Sequence, residues 1–233
     1  MTNCPLSRED IAAAEDMFGP NLGSLQGKTV QRNGTTINVA PRFVPPEIME
    51  WHGYVTLAMD IMFVNKLAFL VIISIGIKFG TVEYIASRSH ETILAGIIPI
   101  KNLYVKRGFI VTDCKANLEF APLKDDLSAE GIDLHPVAED KHIPEIERQI
   151  RTIKERMRCV YNSLPFTKVP ARMLIEMVMA SMFWLNMFPP IDGVSDKLSS
   201  RAIVTGMTFD YNAHCHVEFG AYVQTHKEHD NTM

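Results

Sequence analysis

An α/β fold built on a mixed sheet is what the sequence predicts, and three features predict it. Three runs of strand-forming residues, Tyr54–Met62, Leu67–Ile75 and Gly80–Ile85, follow one another at short spacing, the pattern of an antiparallel meander. A fourth run, Phe109–Lys115, returns after a segment long enough for a crossover helix, which is how a strand rejoins a sheet in parallel. Two long stretches of helical period, Glu145–Tyr161 and Arg172–Phe188, come last. Strands that share a chain with helices of this length need those helices to cover the sheet.

The elements follow in order. Residues 1–50 read as an N-terminal extension and linker. Ser7 with Asp10 three residues on fits a capped short helix, because the hydroxyl and the carboxylate satisfy each other's backbone donors. Gly19, Pro20, Gly23 and Gly27 end it, and Lys28, Arg32 and Arg42 lie among turn residues up to Pro45-Pro46. Asn65-Lys66 turns the first strand into the second. His90–Lys106 reads as a helix, with Pro99 arguing for a kink or an early end and Gly108 stopping it. Asp125–Glu130 is a short helix closed by Gly131, and Ile132–Pro136 a short strand. Pro144 suits a first helical turn, Pro165 and Pro170 bracket a loop, and Pro189-Pro190 stops the last long helix. Residues 191–233 are less regular; Val217–Val223 is a strand candidate, and His226–Met233 a polar tail.

Composition narrows the function classes. With 47% hydrophobic and 21% charged residues in 233, the chain can bury a core. Its formal charge of −4 gives no global attraction to nucleic acid, so any such contact needs a local basic patch. The four cysteines, at 4, 114, 159 and 215, form no C-x-x-C pair, which excludes a disulfide-dense scaffold and a Cys-rich zinc knuckle. Met1–Asp10 contains Arg8, Glu9 and Asp10 and no apolar run, unlike a signal peptide; an intracellular, non-secreted protein is expected. Leu67–Ile77 is too short to cross about 30 Å of hydrocarbon as a helix, and Glu176 and Asn186 interrupt Met173–Phe188, so no membrane partner is expected. Methionines 173, 177, 179, 182 and 187 cluster in that last segment, where soft side chains suit a core.

Acidic residues carry the candidate chemistry. Asp60 interrupts the apolar run Leu57–Phe63; a carboxylate there either ends a strand toward solvent or binds something, since burial without a partner is costly. Glu147 opens a helical face on which Arg151, Lys154 and Arg158 follow, with Arg148 and Arg156 flanking. That is the strongest local positive patch in the chain. It reads as a phosphate-binding face behind an acid or as a solvated face with ordinary Glu–Arg support. Phosphoryl transfer on nucleic acid commonly uses two Mg²⁺ about 3.5–4 Å apart held by carboxylates. Asp60 and Glu147 could supply two ligands, and Asp113, Asn117 and Glu119 are candidates for a third. His226-x-x-His229, with His214, Cys215 and His216 upstream, has ligand-like spacing but a loose overall pattern; Cys4 and His52 stand alone.

These segments resemble the integrase catalytic core of copia-type retrotransposon polyproteins. The resemblance is carried by Gly27–Val30, Val55–Asp60, Ala116–Phe120, Pro144–Arg148, Trp184–Asn186, Ser199–Gly206 and Phe219–Val223, in that order. It implies a ribonuclease-H-like α/β fold, with an integrase-like core over 51–190 and a partly irregular C-terminal extension over 191–233. It implies an Asp-Asp-Glu metal and catalytic triad falling on Asp60, Asn117 and Glu147, with Mg²⁺ or Mn²⁺ as cofactor. Double-stranded DNA is the implied partner, contacted by Arg148, Arg151, Lys154 and Arg158, in a homo-oligomer that works in the nucleus. The sequence departs from the family at 117, where an amide replaces the second Asp, and at Leu118, where the family often has Gly. The family's His/Cys zinc region has no counterpart near the start, and the chain ends where the family continues into a reverse transcriptase, so a fragment or stand-alone copy is expected. Two functions follow: metal-dependent DNA end processing and strand transfer, or a catalytically degenerate domain with weak nucleic-acid binding or a protein-interaction role.

Overall fold

A computed structural model of the chain describes residues 7–19, 21, 42–138, 143–211, 215 and 217–221. The chain divides into two units, Met1–Ile37 with Ala221–Met233, and Asn38–Gly220. The first contributes helix α1 (Arg8–Phe18). The expected capping box is present there: the Asp10 N–H donates to Ser7 Oγ at 3.1 Å, and the Ser7 N–H donates to the Asp10 carboxylate at 2.7 Å.

The second unit is a sheet between helices. Its elements are α2 (Pro46–His52), β1 (Tyr54–Val64), β2 (Leu67–Ser74), β3 (Gly80–Ile85), α3 (His90–Val105), β4 (Ile110–Asn117), a 3₁₀ turn (Leu118–Leu123), α4 (Lys124–Ala129), β5 (Asp133–Val137), α5 (Pro144–Ser163), α6 (Ala171–Leu185) and α7 (Ser200–Thr205). The strand order is β3-β2-β1-β4-β5. β1, β2 and β3 pair antiparallel, and β4 and β5 join in parallel. The mixed five-stranded sheet with flanking helices agrees with the ribonuclease-H-like expectation.

Alternation along β1 builds two cores at once. Val55, Leu57, Met59 and Ile61 face a layer with α3, α4 and α7, while Ala58, Met62 and Val64 face α5 and α6. β2, covered on both sides, is a nearly unbroken apolar run. Asn65 and Lys66 both take positive φ, 46° and 68°, which the two-residue turn joining β1 to β2 requires.

Two sequence expectations are corrected. The helix over His90–Val105 continues through Pro99. Pro99 and Ala95, whose carbonyl has lost its helical donor, both lie on the exposed face, where solvent can satisfy that oxygen. Val217–Gly220 forms turns rather than a strand, with Gly220 at φ 88°, a conformation outside strand geometry; Tyr222 and Val223 lie outside the described residues.

One irregularity positions the site. β4 pairs Val111 with Val55 and Asp113 with Thr56, so Thr112 is an extra residue, a bulge. The bulge reverses the facing of everything after it. Cys114 and Ala116 turn into the α3-side core, and Asn117 turns to the opposite face, the one that carries Asp60.

Candidate functional site

Asp60 sits in the middle of the sheet on the α5 side, in the position an apolar residue of the Ala58–Met62 series would fill. The register Met59↔Ala116 continues to bring Asn117, the last residue of β4, beside it. Asn117 Nδ2 donates to Asp60 Oδ1 at 3.1 Å, and the Ile61 N–H donates to the same oxygen at 2.8 Å. Burial pushes the Asp60 carboxyl above its ordinary value, and the charge of Glu147 adds to that; the two hydrogen bonds and the Lys154 charge oppose them without cancelling the rise. Glu119 stands just beyond. Its carboxyl is also raised, first by burial and then by Asp60, against the Arg88 guanidinium. Arg88 pairs with Glu119 at 3.8 Å and lies over the Phe63 ring at 5.8 Å.

α5 delivers the remaining groups. Ile146 and Ile153 are fully packed against the sheet, which fixes the rotation of the helix. Glu147, Arg151, Lys154 and Arg158 then fall along one adjoining side. Glu147 and Lys154 act electrostatically on Asp60. Lys154 is half-buried, and Arg151 and Arg158 are exposed. Arg148 lies off this stripe and pairs with Asp192 at 3.5 Å.

Arg148 and Arg156 instead line a cleft of about 880 Å³ between α5 and α6, with Lys78, Trp184, Phe188 and Ile191 among its other walls. Sequence reasoning did not find this cleft. The signal available is the aromatic and proline run Trp184 to Ile191, whose side chains form one wall of the cleft.

The other candidates are apart from Asp60. The Asp113 carboxylate accepts from Thr112 Oγ1 at 2.6 Å and pairs with His135 Nε2 at 2.7 Å, and these contacts, the Thr112 bond foremost, hold it below its ordinary value. His52 lies near Gly76. Cys4, His214, His216, His226 and His229 lie outside the described residues.

The site fits a pair of divalent ions poorly. Among the described residues no group of three His, Cys, Asp or Glu side chains comes together to hold a metal. An ionised carboxylate only accepts hydrogen bonds, so the amide beside Asp60 must present its NH₂ end. Asn117 therefore brings a donor and no second negative charge beside Asp60.

No family model matches the chain, and no curated protein matches it in sequence. Among solved structures it is similar to the catalytic core domain of BIV integrase, with 13% identity over 64% of this chain and 92% of that one, at a TM-score of 0.45. No helix among the described residues is long and apolar enough to cross a membrane.

Proposed function

We propose that the core over 51–190 is an integrase-like, ribonuclease-H-fold domain that keeps the place of the triad but has lost metal-dependent DNA end processing and strand transfer. On this reading it meets double-stranded DNA through Arg151, Lys154 and Arg158, with Arg148 flanking. The observation that supports the reading is the hydrogen bond from Asn117 to Asp60. Two-metal phosphoryl transfer depends on anionic ligands that hold both ions against the reacting phosphate. An amide contributes a neutral oxygen at best, and here its nitrogen faces the one carboxylate it would have to work with.

The residues would divide the work simply. The exposed guanidinium groups of Arg151 and Arg158 would position phosphates without reading sequence. Lys154, nearer the sheet, would offset the Asp60 charge that otherwise repels the backbone. Homo-oligomerisation and a nuclear location belong to the same proposal through the resemblance.

The test is a nicking and joining assay on linear duplex DNA with Mg²⁺ or Mn²⁺, using the unaltered chain, Asn117→Asp, and Asn117→Asp with Leu118→Gly. The unaltered chain should give no product above background. Metal-dependent product from it, abolished by Asp60→Ala, would instead establish the active reading, which draws its support from Glu147 and Asp60 sharing one face.

A further inference from the structure

We infer that the Asn117 amide takes the place of a divalent cation at Asp60, so that this end of the sheet is held together without metal. The inference rests on the reading that 117 is the position of the family's second acid, and it deepens that reading.

A half-buried carboxylate on a central strand needs compensation from its surroundings. At Asp60 protein groups supply that compensation, against the added charge of Glu147. Both close donors, the Ile61 N–H and the Asn117 NH₂, converge on Oδ1, and Lys154 supplies a positive charge at longer range. The next acid has its own partner, since Glu119 pairs with Arg88. Aspartate at 117 would occupy the same volume and reverse the sign of the contact. Two acceptor-only groups would then meet about 3 Å apart, a distance at which like carboxylates cannot both stay ionised without a cation or a shared proton. The bulge at Thr112 fixes the facing of residue 117, so the new side chain could not escape by turning to the other face.

Thermal unfolding of the full chain tests this, with and without millimolar Mg²⁺ or Mn²⁺ at constant ionic strength. The unaltered protein should melt at the same temperature in every condition. Asn117→Asp should melt several degrees lower without metal and recover with it. An ion present at about 100 times its Kd shifts the folding equilibrium about 100-fold, which corresponds to about 5–10 °C in a chain of this size. Because Asn117→Asp alone can fail to fold, the exchanged pair Asp60→Asn with Asn117→Asp is the second arm. It restores one amide and one carboxylate, so it should fold without metal and melt near the unaltered protein. Metal-induced stabilisation of the unaltered protein, lost in Asp60→Asn, would overturn the inference. So would an exchanged pair no more stable than Asn117→Asp. Stabilisation of the unaltered chain by metal without nicking would sink this inference and leave the loss of catalysis standing; nicking would sink the functional reading itself.

Discussion

Replacing Arg151 and Arg158 together by serine should flatten the salt dependence of duplex binding. The two residues are seven positions apart on α5, so they lie on one side of the helix about 10 Å apart along its axis. Phosphates on one strand recur every 3.4 Å or so, and each arginine can therefore meet a different phosphate. Each phosphate neutralised adds about 0.9 to the slope of log affinity against log salt. Losing two contacts removes about 1.8 from the slope. Between roughly 50 and 200 mM salt, a fourfold range, the affinity advantage of the unaltered chain over the double variant should shrink about tenfold. Both side chains are exposed, so their truncation leaves the core intact, and the chain's charge of −4 offers no general attraction to replace them. Fluorescence anisotropy with a labelled duplex, titrated at several salt concentrations, reads the slope directly. Arg172→Ser is the control, because Arg172 is engaged on α6 with Glu176 at 2.6 Å. Parallel slopes for the unaltered chain and the double variant would refute the phosphate contacts and leave the stripe as a solvated helix face.

Other outcomes follow from the packing. Asn186→Ala removes a buried side chain that accepts from the Gly80 N–H at 3.0 Å and donates to the Gly80 carbonyl at 2.6 Å. Stranding both backbone groups should cost about 2–4 kcal/mol, read as a lower urea midpoint at unchanged m. Ile153→Ala empties a fully buried position between α5 and the sheet and should cost about 2–5 kcal/mol by the same measurement. Asp113 titrates below its ordinary value in the fold, so it adds stability above its unfolded pKa that disappears as pH falls through its folded pKa. Asp113→Asn should therefore make the acid limb of a stability–pH profile shallower; an unchanged limb would show that the Thr112 and His135 contacts do not persist in solution.

The fold was legible where period and turn chemistry agreed. Asn65 marked the first hairpin because asparagine accepts positive φ more readily than most residues, whereas Lys66 takes positive φ without such a preference. The ends of β1 and β4 ran past the expected limits for different reasons. Phe63 and Val64 continue the pairing with β2, and Ala116 and Asn117 are held by β5 partners Pro136 and Val137, a tertiary contact that local sequence does not display. Pro99 did not end the helix, because the carbonyl it leaves unpaired lies on the exposed side. The stretch over 217–220 misled because its apolar residues carry no information about the φ that Gly220 adopts. Within the site, Asp60 announced itself as a charge in an apolar run, and α5 placed Glu147, Arg151, Lys154 and Arg158 by periodicity alone. The pairing of Asp60 with Asn117 was reached only through resemblance. Its physical determinant is the Thr112 bulge, whose trace is the change from a three-residue spacing (Val111 to Cys114) to a two-residue one (Cys114 to Ala116) among inward residues.

The energetic scale separates the stability of the sheet from the proposed chemistry of the site. Each large side chain buried in the two cores contributes about 1.5–3 kcal/mol, and the two cores together hold more than thirty buried residues. A single hydrogen bond to a carboxylate, such as that from Asn117 to Asp60, nets about 1.5–3 kcal/mol. The two cores therefore carry most of the stability of the architecture, and their burial does not by itself specify what residue 117 must be. What does constrain residue 117 is local: beside a half-buried carboxylate it must bring either a hydrogen-bond donor or a charge for a cation to bridge. Asparagine satisfies the first condition with the volume of aspartate and without a metal. Under the proposal above, aspartate at the same strand end would call for a cation where asparagine acts as a clasp, and the charge of that one side chain decides between the two.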